Sequence, residues 1–214
     1  MAVVKNKNGR DILLCMVKAI QENKQYLGDV DGLIGDGDHG MNMNKGFTMY
    51  GEQLGDGQAS FSAGLFDLGA VLLNKIGGSM GPIYGTIFMD MSERAEDEED
   101  ITLTVFADML EAGLTGLYGI VGARPGDKTL VDTLYPAVQA LRAADEAGKG
   151  FAQALDDMKE AAEAGKDSTK DLIAKFGRSA RLGERSRGVL DAGATSCCII
   201  LKAMADGMKN VLED

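Results

Sequence analysis

Apolar residues recur along this chain at spacings of three and four, which predicts amphipathic helices almost throughout. Residues 9–27 place Leu13, Val17 and Ile20 on one side, and 40–54 carry Met43, Phe47 and Tyr50. In 61–77 the stripe is Phe61, Leu65, Leu68, Leu72 and Ile76. A Gly77-Gly78 break precedes a helix over 81–95, with Pro82 in the first turn, where its missing N–H costs nothing. Residues 102–121 (Leu103, Phe106, Leu110, Leu114, Leu117) and 129–147 (Leu130, Leu134, Ala137, Val138, Leu141) follow. A more exposed helix is expected over 150–165, with Phe151, Leu155, Met158 and Ala162 inward. The segment 166–192 reads as irregular apart from a short helix at 169–176, and 193–212 closes the chain with Ile200, Ala203, Met204, Met208 and Val211.

These are eight helices of roughly 15–20 residues, each about 25–30 Å long. With three prolines and no alternating Val/Ile/Thr runs, no sheet is expected. The fold class is all-α, an antiparallel bundle or barrel. No linker, repeat or low-complexity tract interrupts residues 1–214, so one domain is expected. Glu93–Asp100 reads as an exposed acidic loop, and the methionines on the apolar stripes as core filling.

Charge narrows the partners. A net charge of −11 argues against nucleic acid or an anionic membrane as the main partner. One basic patch stands against it: Arg178, Arg181, Arg185 and Arg187, with Glu184 the single acid among them. Cys15, Cys197 and Cys198 form an odd set that suits reduced thiols, no apolar run approaches a membrane span, and the apolar stretch after Asp11 is too short for a signal peptide. A cytoplasmic protein is expected.

The chemistry gathers between 28 and 44, where a turn joining two helices is expected. Asp29, Asp31, Asp36 and Asp38 crowd beside His39, the one histidine of the chain. Carboxylates this close repel unless a cation or donors compensate. Oxygen ligands without a nearby Cys point to Mg²⁺ or Ca²⁺. Counted from Asp29, an EF-hand loop fails, with Ile34 where Gly is needed and Gly40 where Glu is needed. Mg²⁺ with substrate phosphates remains, and Gly35, Gly37 and Gly40 supply free backbone N–H groups for such phosphates.

Three further helix starts are glycine-rich: Gly77-Gly-Ser-Met-Gly-Pro82, Gly122-Ala-Arg-Pro-Gly-Asp-Lys-Thr129 and Gly188-Val-Leu-Asp-Ala-Gly-Ala-Thr195. Unpaired N–H groups and the helix dipole make each an anion site. In an up-and-down bundle the second, fourth, sixth and eighth helices begin at one rim, so the four starts converge. The implied cargo is a nucleotide with Mg²⁺ on the aspartates and an arginine from 178–187 adding charge. No GxxxxGK[ST] loop and no protein-kinase signature occurs, and a histidine set among acids argues against Ser/His/Asp hydrolysis.

With Gly35-Asp-Gly-Asp-His-Gly-Met-Asn-Met-Asn44, Gly77–Pro82, Gly126-Asp-Lys-Thr129, Gly177–Ser186 and Asp191-Ala-Gly-Ala-Thr195 in this order, nearly the whole chain resembles the ADP-binding L subunit of bacterial dihydroxyacetone kinases. The resemblance implies an antiparallel barrel of eight helices with nucleotide (ADP or ATP) at one end. It implies two Mg²⁺ ions on Asp31, Asp36 and Asp38. Nucleotide is implied to contact His39, Gly40, Met41, Asn42, Ser79, Met80, Gly122, Leu130, Arg178, Asp191, Ala192 and Gly193. Asp29 receives no role and reads as a solvated residue. Met80 stands where the family often has Ser, Met41 where Thr or another small residue is frequent, and Ala192 where Pro is frequent.

The resemblance further implies partners. A separate K subunit holds dihydroxyacetone or a related ketose on a histidine, and this chain supplies the nucleotide half of the site. In the phosphotransferase-dependent branch a multiphosphoryl M subunit recharges bound ADP in place. Two alternatives stay open: an ATP-exchanging subunit acting on dihydroxyacetone or erythrulose, and a non-catalytic nucleotide-loaded module that controls a transcriptional regulator.

Overall fold

The computed structural model of the protein describes residues 2–213. Its α-helices are α1 (Arg10–Glu22), α2 (Lys24–Ile34), α3 (His39–Leu54), α4 (Phe61–Lys75), α5 (Met80–Arg94), α6 (Leu103–Ile120), α7 (Val131–Glu146), α8 (Phe151–Ser168) and α9 (Ala192–Asn210). From α3 to α9 each helix packs on the next, and α1 closes the ring between α9 and α3. The ring therefore holds eight helices, while α2 lies against α3 and α9. Inside it the apolar stripes meet: Leu13, Met16 and Ile20 of α1 are fully buried, as are Phe47 of α3, Leu65 and Leu68 of α4 and Phe106 of α6. Phe88 stacks on Tyr84 at 6.0 Å and meets Phe47 edge-on at 6.4 Å. Met16, Met43, Met91, Met109, Met158, Met204 and Met208 are buried among these rings and branched chains, the gap-filling role their stripes predicted. Cys15, Cys197 and Cys198 are free thiols, and burial pushes Cys198 up to about 12.

Three expectations change. The helix expected over 9–27 divides at Asn23, whose side-chain amide donates to the Ala19 carbonyl at 2.8 Å and competes with the helical ladder. A second helix, α2, then runs through the acidic stretch read as a turn. Leu27, Val30 and Ile34 recur on its buried side while Asp29 faces water. In the later segment, α8 extends to Ser168, Thr169–Asp171 forms a short 3-10 turn where a helix over 169–176 was expected, and Arg178–Ser186 winds as 3-10 turns broken at Gly183 where irregular chain was expected. Side chains take the backbone groups there: the Thr169 hydroxyl donates to the Lys166 carbonyl and the Ser186 hydroxyl accepts from Ala174 N–H.

The third change is a small antiparallel sheet of β1 (Val3–Lys5), β2 (Asp100–Ile101) and β3 (Leu212–Glu213), ordered β2-β1-β3. Val4 sits at its centre opposite Ile101 and Leu212, and Lys5 pairs with Asp100 at 2.7 Å, so the end of the acidic run is held rather than loose. Strands of two or three residues are too short to show a period of two. The sheet ties the start of α1, the start of α6 and the end of α9 together at one end of the barrel. The other end of α9, some 28 Å away along its 19 residues, opens on a cleft. No helix of the described residues is long and apolar enough to cross a membrane.

Candidate functional site

At that end the starts of α3, α5, α7 and α9 meet the ends of α2, α4 and α6 around one cleft of about 750 Å³. Asp38, at the N-cap position of α3, makes no capping bond with its side chain, and neither does Ser79 at the start of α5. Those helix ends therefore turn N–H groups and dipole toward the cleft, and at α3 it is Asp31 rather than the cap residue that reaches the first of them. α9 differs: Asp191 caps it by accepting from Ala194 N–H at 2.8 Å.

One wall carries the acids. Asp31, Asp36 and Asp38 each offer a carboxylate oxygen, and these oxygens lie within 4.8 Å of one another. Asp31 comes from the last turn of α2, and the other two from the turn into α3. Gly35 must lack a side chain here, because a Cβ would stand 2.2 Å from Asp31 Oδ1. Gly37 turns the chain with φ of 76°, a conformation glycine adopts freely. Asp31 Oδ2 also accepts from His39 N–H at 3.3 Å. Across the cleft the Arg178 guanidinium pairs with Asp36 and stands 3.7 Å from Asp38 Oδ2. Asp29 lies outside the cluster, exposed, with Gln25 donating to it at 2.7 Å.

Behind the acids lies a buried polar chain. His39 Nε2 is 2.8 Å from Ser196 Oγ, which is 2.6 Å from the Tyr84 hydroxyl, and both hydroxyls reach the Gly193 carbonyl. It joins α3, α5 and α9 at their starts. Burial pulls His39 down to about 4, against the opposing pull of Asp31, so the imidazole is neutral near pH 7. Burial likewise raises Asp191 to about 6, with Ala194 N–H and the Lys128 ammonium acting the other way.

Comparison with known proteins shows the family and the fold. The DAK2 domain model matches residues 33–206. The chain belongs to the DAK2 domain family. This DAK2 domain is 40% identical over 186 residues to the PEP-dependent dihydroxyacetone kinase 1, ADP-binding subunit DhaL, of Listeria innocua serovar 6a, covering 86% of the chain and 88% of that relative. Its fold is similar to the dihydroxyacetone kinase of C. freundii in the native form, with a TM-score of 0.72 at 23% identity over 92% of the chain. The same kinase solved in complex with AMP-PNP and Mg²⁺ gives a TM-score of 0.68 at 22% identity, again over 92% of the chain. The chain spans about a third of those kinase chains, 34% and 33%.

Of the residues singled out in the sequence, Asp31, Asp36, Asp38, His39, Asn42, Ser79, Met80, Leu130, Arg178, Asp191, Ala192 and Gly193 all line the cleft of the DAK2 domain. Gly40, Met41 and Gly122 do not. Gly40 is buried where α3 crosses α2, Met41 points outward at 59% exposure, and Gly122 sits beside the Phe176 ring. Residues that were not singled out also reach the cleft, among them Lys128, Tyr84 and Phe176. Lys128 had a signal, its place in the Gly126-Asp-Lys-Thr129 turn; Tyr84 had none beyond an apolar stripe.

The crossing at Gly40 yields a stability prediction. A Cβ there would stand 2.0 Å from the Lys24 carbonyl oxygen and 2.7 Å from Gly28 N, both backbone atoms that cannot rotate away. Gly40→Ala should push α2 off α3 and cost the DAK2 domain about 3 kcal/mol, the upper end of overpacking effects. Urea unfolding measures it, and a loss below about 0.5 kcal/mol would mean that the crossing has slack.

Proposed function

We propose that residues 1–214 form one nucleotide-binding unit, the ADP-binding subunit of a cytoplasmic dihydroxyacetone kinase. It supplies the nucleotide half of a phosphoryl-transfer site whose ketose half lies on a separate K subunit, and a phosphotransferase-system M subunit recharges the ADP in place. The observation that carries this reading is the convergence of three carboxylates, uncapped helix starts and an arginine on one cleft. The 40% identity to an ADP-binding subunit over most of both chains supports it.

The residues present fit a divalent cation. Three hard oxygen donors within 4.8 Å, with no thiolate among them, suit Mg²⁺ rather than zinc. Asp31, Asp36 and Asp38 would hold two such ions. Bound Mg²⁺ would neutralise phosphate charge and hold the phosphates in place for transfer. The chain's own contribution is positioning. The N–H groups at the starts of α3 and α5, Gly40 and Met41 included, would take phosphate oxygens, as would the Ser79 hydroxyl. Met80, Leu130, Ala192 and Gly193 would border the base and ribose, and neutral His39 is held at the α3 start by Ser196. Asn42 and Asp191 add polar edges, and Gly122 would act through the Phe176 ring it lies beside, which borders the cleft.

Arg178 would then contribute a fixed positive charge at the phosphates. Arg178→Ala should weaken Mg²⁺–ADP by about ten- to a hundredfold, the worth of a charge-assisted hydrogen bond. Titration calorimetry reads this directly, and unchanged affinity would remove Arg178 from the site. For the function as a whole, purified protein is denatured and the released nucleotide counted, then the stripped, refolded chain is titrated with ADP. About one ADP per chain, or saturable Mg²⁺-dependent rebinding, is expected. Absence of both at millimolar ADP would overturn the reading.

A further inference from the structure

Thr169 and Asp191 are neighbours in space, with Asp191 N–H donating to the Thr169 hydroxyl at 3.0 Å. The chain between them is thus a closed loop with a narrow neck. It is tied again by Gly188 N–H to the Lys170 carbonyl at 2.7 Å. Arg178 sits far from that neck in the sequence, yet it reaches back to Asp36 and Asp38.

What fixes the loop to the barrel is the turn before α7. Lys128 is fully buried, and its ammonium donates to the Thr169 carbonyl on one side of the neck and to the Val189 carbonyl, at 2.5 Å, on the other. Its neighbour Asp127 accepts from Lys175 Nζ at 2.6 Å and, through its carbonyl, from Lys175 N–H at 3.1 Å. Two adjacent residues thus hold the loop at three points. The turn is built rigidly for this. Asp132 accepts from Gly126 N–H at 2.5 Å and from Thr129 N–H at 2.7 Å. Lys128 itself has φ of 59°, the one described residue other than glycine in the left-handed region. A strained backbone and a buried ammonium, whose charge Asp191 and Asp132 offset only in part, are both costly, and a plain turn needs neither.

We propose that Lys128, assisted by Asp127, is a positioning residue that clips the 170–190 loop to the start of α7 and so holds Arg178 over the Asp36–Asp38 carboxylates. The nucleotide arm of this inference rests on the function proposed above; the mechanical arm does not. Neither Lys128 nor Asp127 pairs with the carboxylate cluster; Lys128 also reaches the cleft beside Asp191, and its effect on the cluster is carried by the loop.

The test is a double-mutant cycle joined to hydrogen exchange. In ligand-free protein, Lys128→Met should raise amide exchange across 170–190 at least about tenfold and leave α4, α5 and α6 unchanged. Asp127→Asn, which keeps the turn's shape while loosening Lys175, should do the same to a smaller extent around 172–178. Unchanged exchange in both variants overturns the clip, whether or not the protein binds ADP. In Mg²⁺–ADP titration, Lys128→Met and Arg178→Ala should each weaken binding, and the double variant should match the weaker single to within about twofold, because one acts through the other. Multiplying effects would show that Lys128 acts on its own and overturn its positioning role. If Lys128→Met does not fold, Asp127→Asn replaces it in the cycle under the same criteria. Failure of the unaltered protein to bind Mg²⁺–ADP would count against the function alone, and the exchange result would then decide the clip.

Discussion

Asp36→Asn is expected to weaken ADP binding in the presence of Mg²⁺ by at least about a hundredfold, since loss of even an outer partner at a metal site costs ten- to a hundredfold. Metal and phosphates bind as one unit, so losing one hard anionic donor loosens both. Asp38→Asn should act similarly. Asp36 also pairs with Arg178, a competitor of the cation for that carboxylate, so the predicted loss is that of the metal donor and not of the ion pair. Asp29→Asn is the control. That carboxylate is exposed, bonded to Gln25 and outside the cluster, and its loss should leave affinity unchanged. Calorimetry on the three variants separates the cases. Should Asp36→Asn and Asp38→Asn bind as tightly as the unaltered chain, the cluster is a charged turn and its pairing with Arg178 an exposed ion pair worth about 0–1 kcal/mol.

The helices were legible because each carries one apolar stripe. Phe61, Leu65, Leu68 and Leu72 need no structure to be seen as one face, and they are buried in the ring. α2 was not legible. Gly28, Asp29, Asp31 and Gly32 have the look of a loop, and they hide the spacing of Leu27, Val30 and Ile34, whose burial outweighs the poor local propensity. The convergence of four helix starts could be counted from alternation alone, because direction in an up-and-down bundle follows from order. Distances could not. That Arg178 lies on Asp36 and Asp38 depends on how a long loop folds back, and the loop is held by side-chain bonds from Lys128 and Asp127 that carry no periodic signal. The chain His39–Ser196–Tyr84 was hidden for a similar reason: each residue sits on a different helix, and only packing joins them.

Mg²⁺ and ADP together should raise the melting temperature by roughly 8–16 °C at a thousandfold excess over Kd. A ligand that binds the folded state alone adds RT ln(1 + [L]/Kd), about 4 kcal/mol at that excess. For a chain of 214 residues each kcal/mol moves the midpoint by about 2–4 °C. The need for both components follows from charge. Three carboxylates within 4.8 Å repel, and Arg178, itself half-exposed, offsets that only in part. ADP without metal brings more negative charge to the same wall, so ADP with a chelator should shift the midpoint by a third of the full effect or less. Mg²⁺ alone must compete with Arg178 for Asp36 and should also do little. Scanning calorimetry over the four conditions decides it. An equal rise with ADP plus chelator would mean that the nucleotide binds without the aspartates, and the metal site would have to be sought elsewhere.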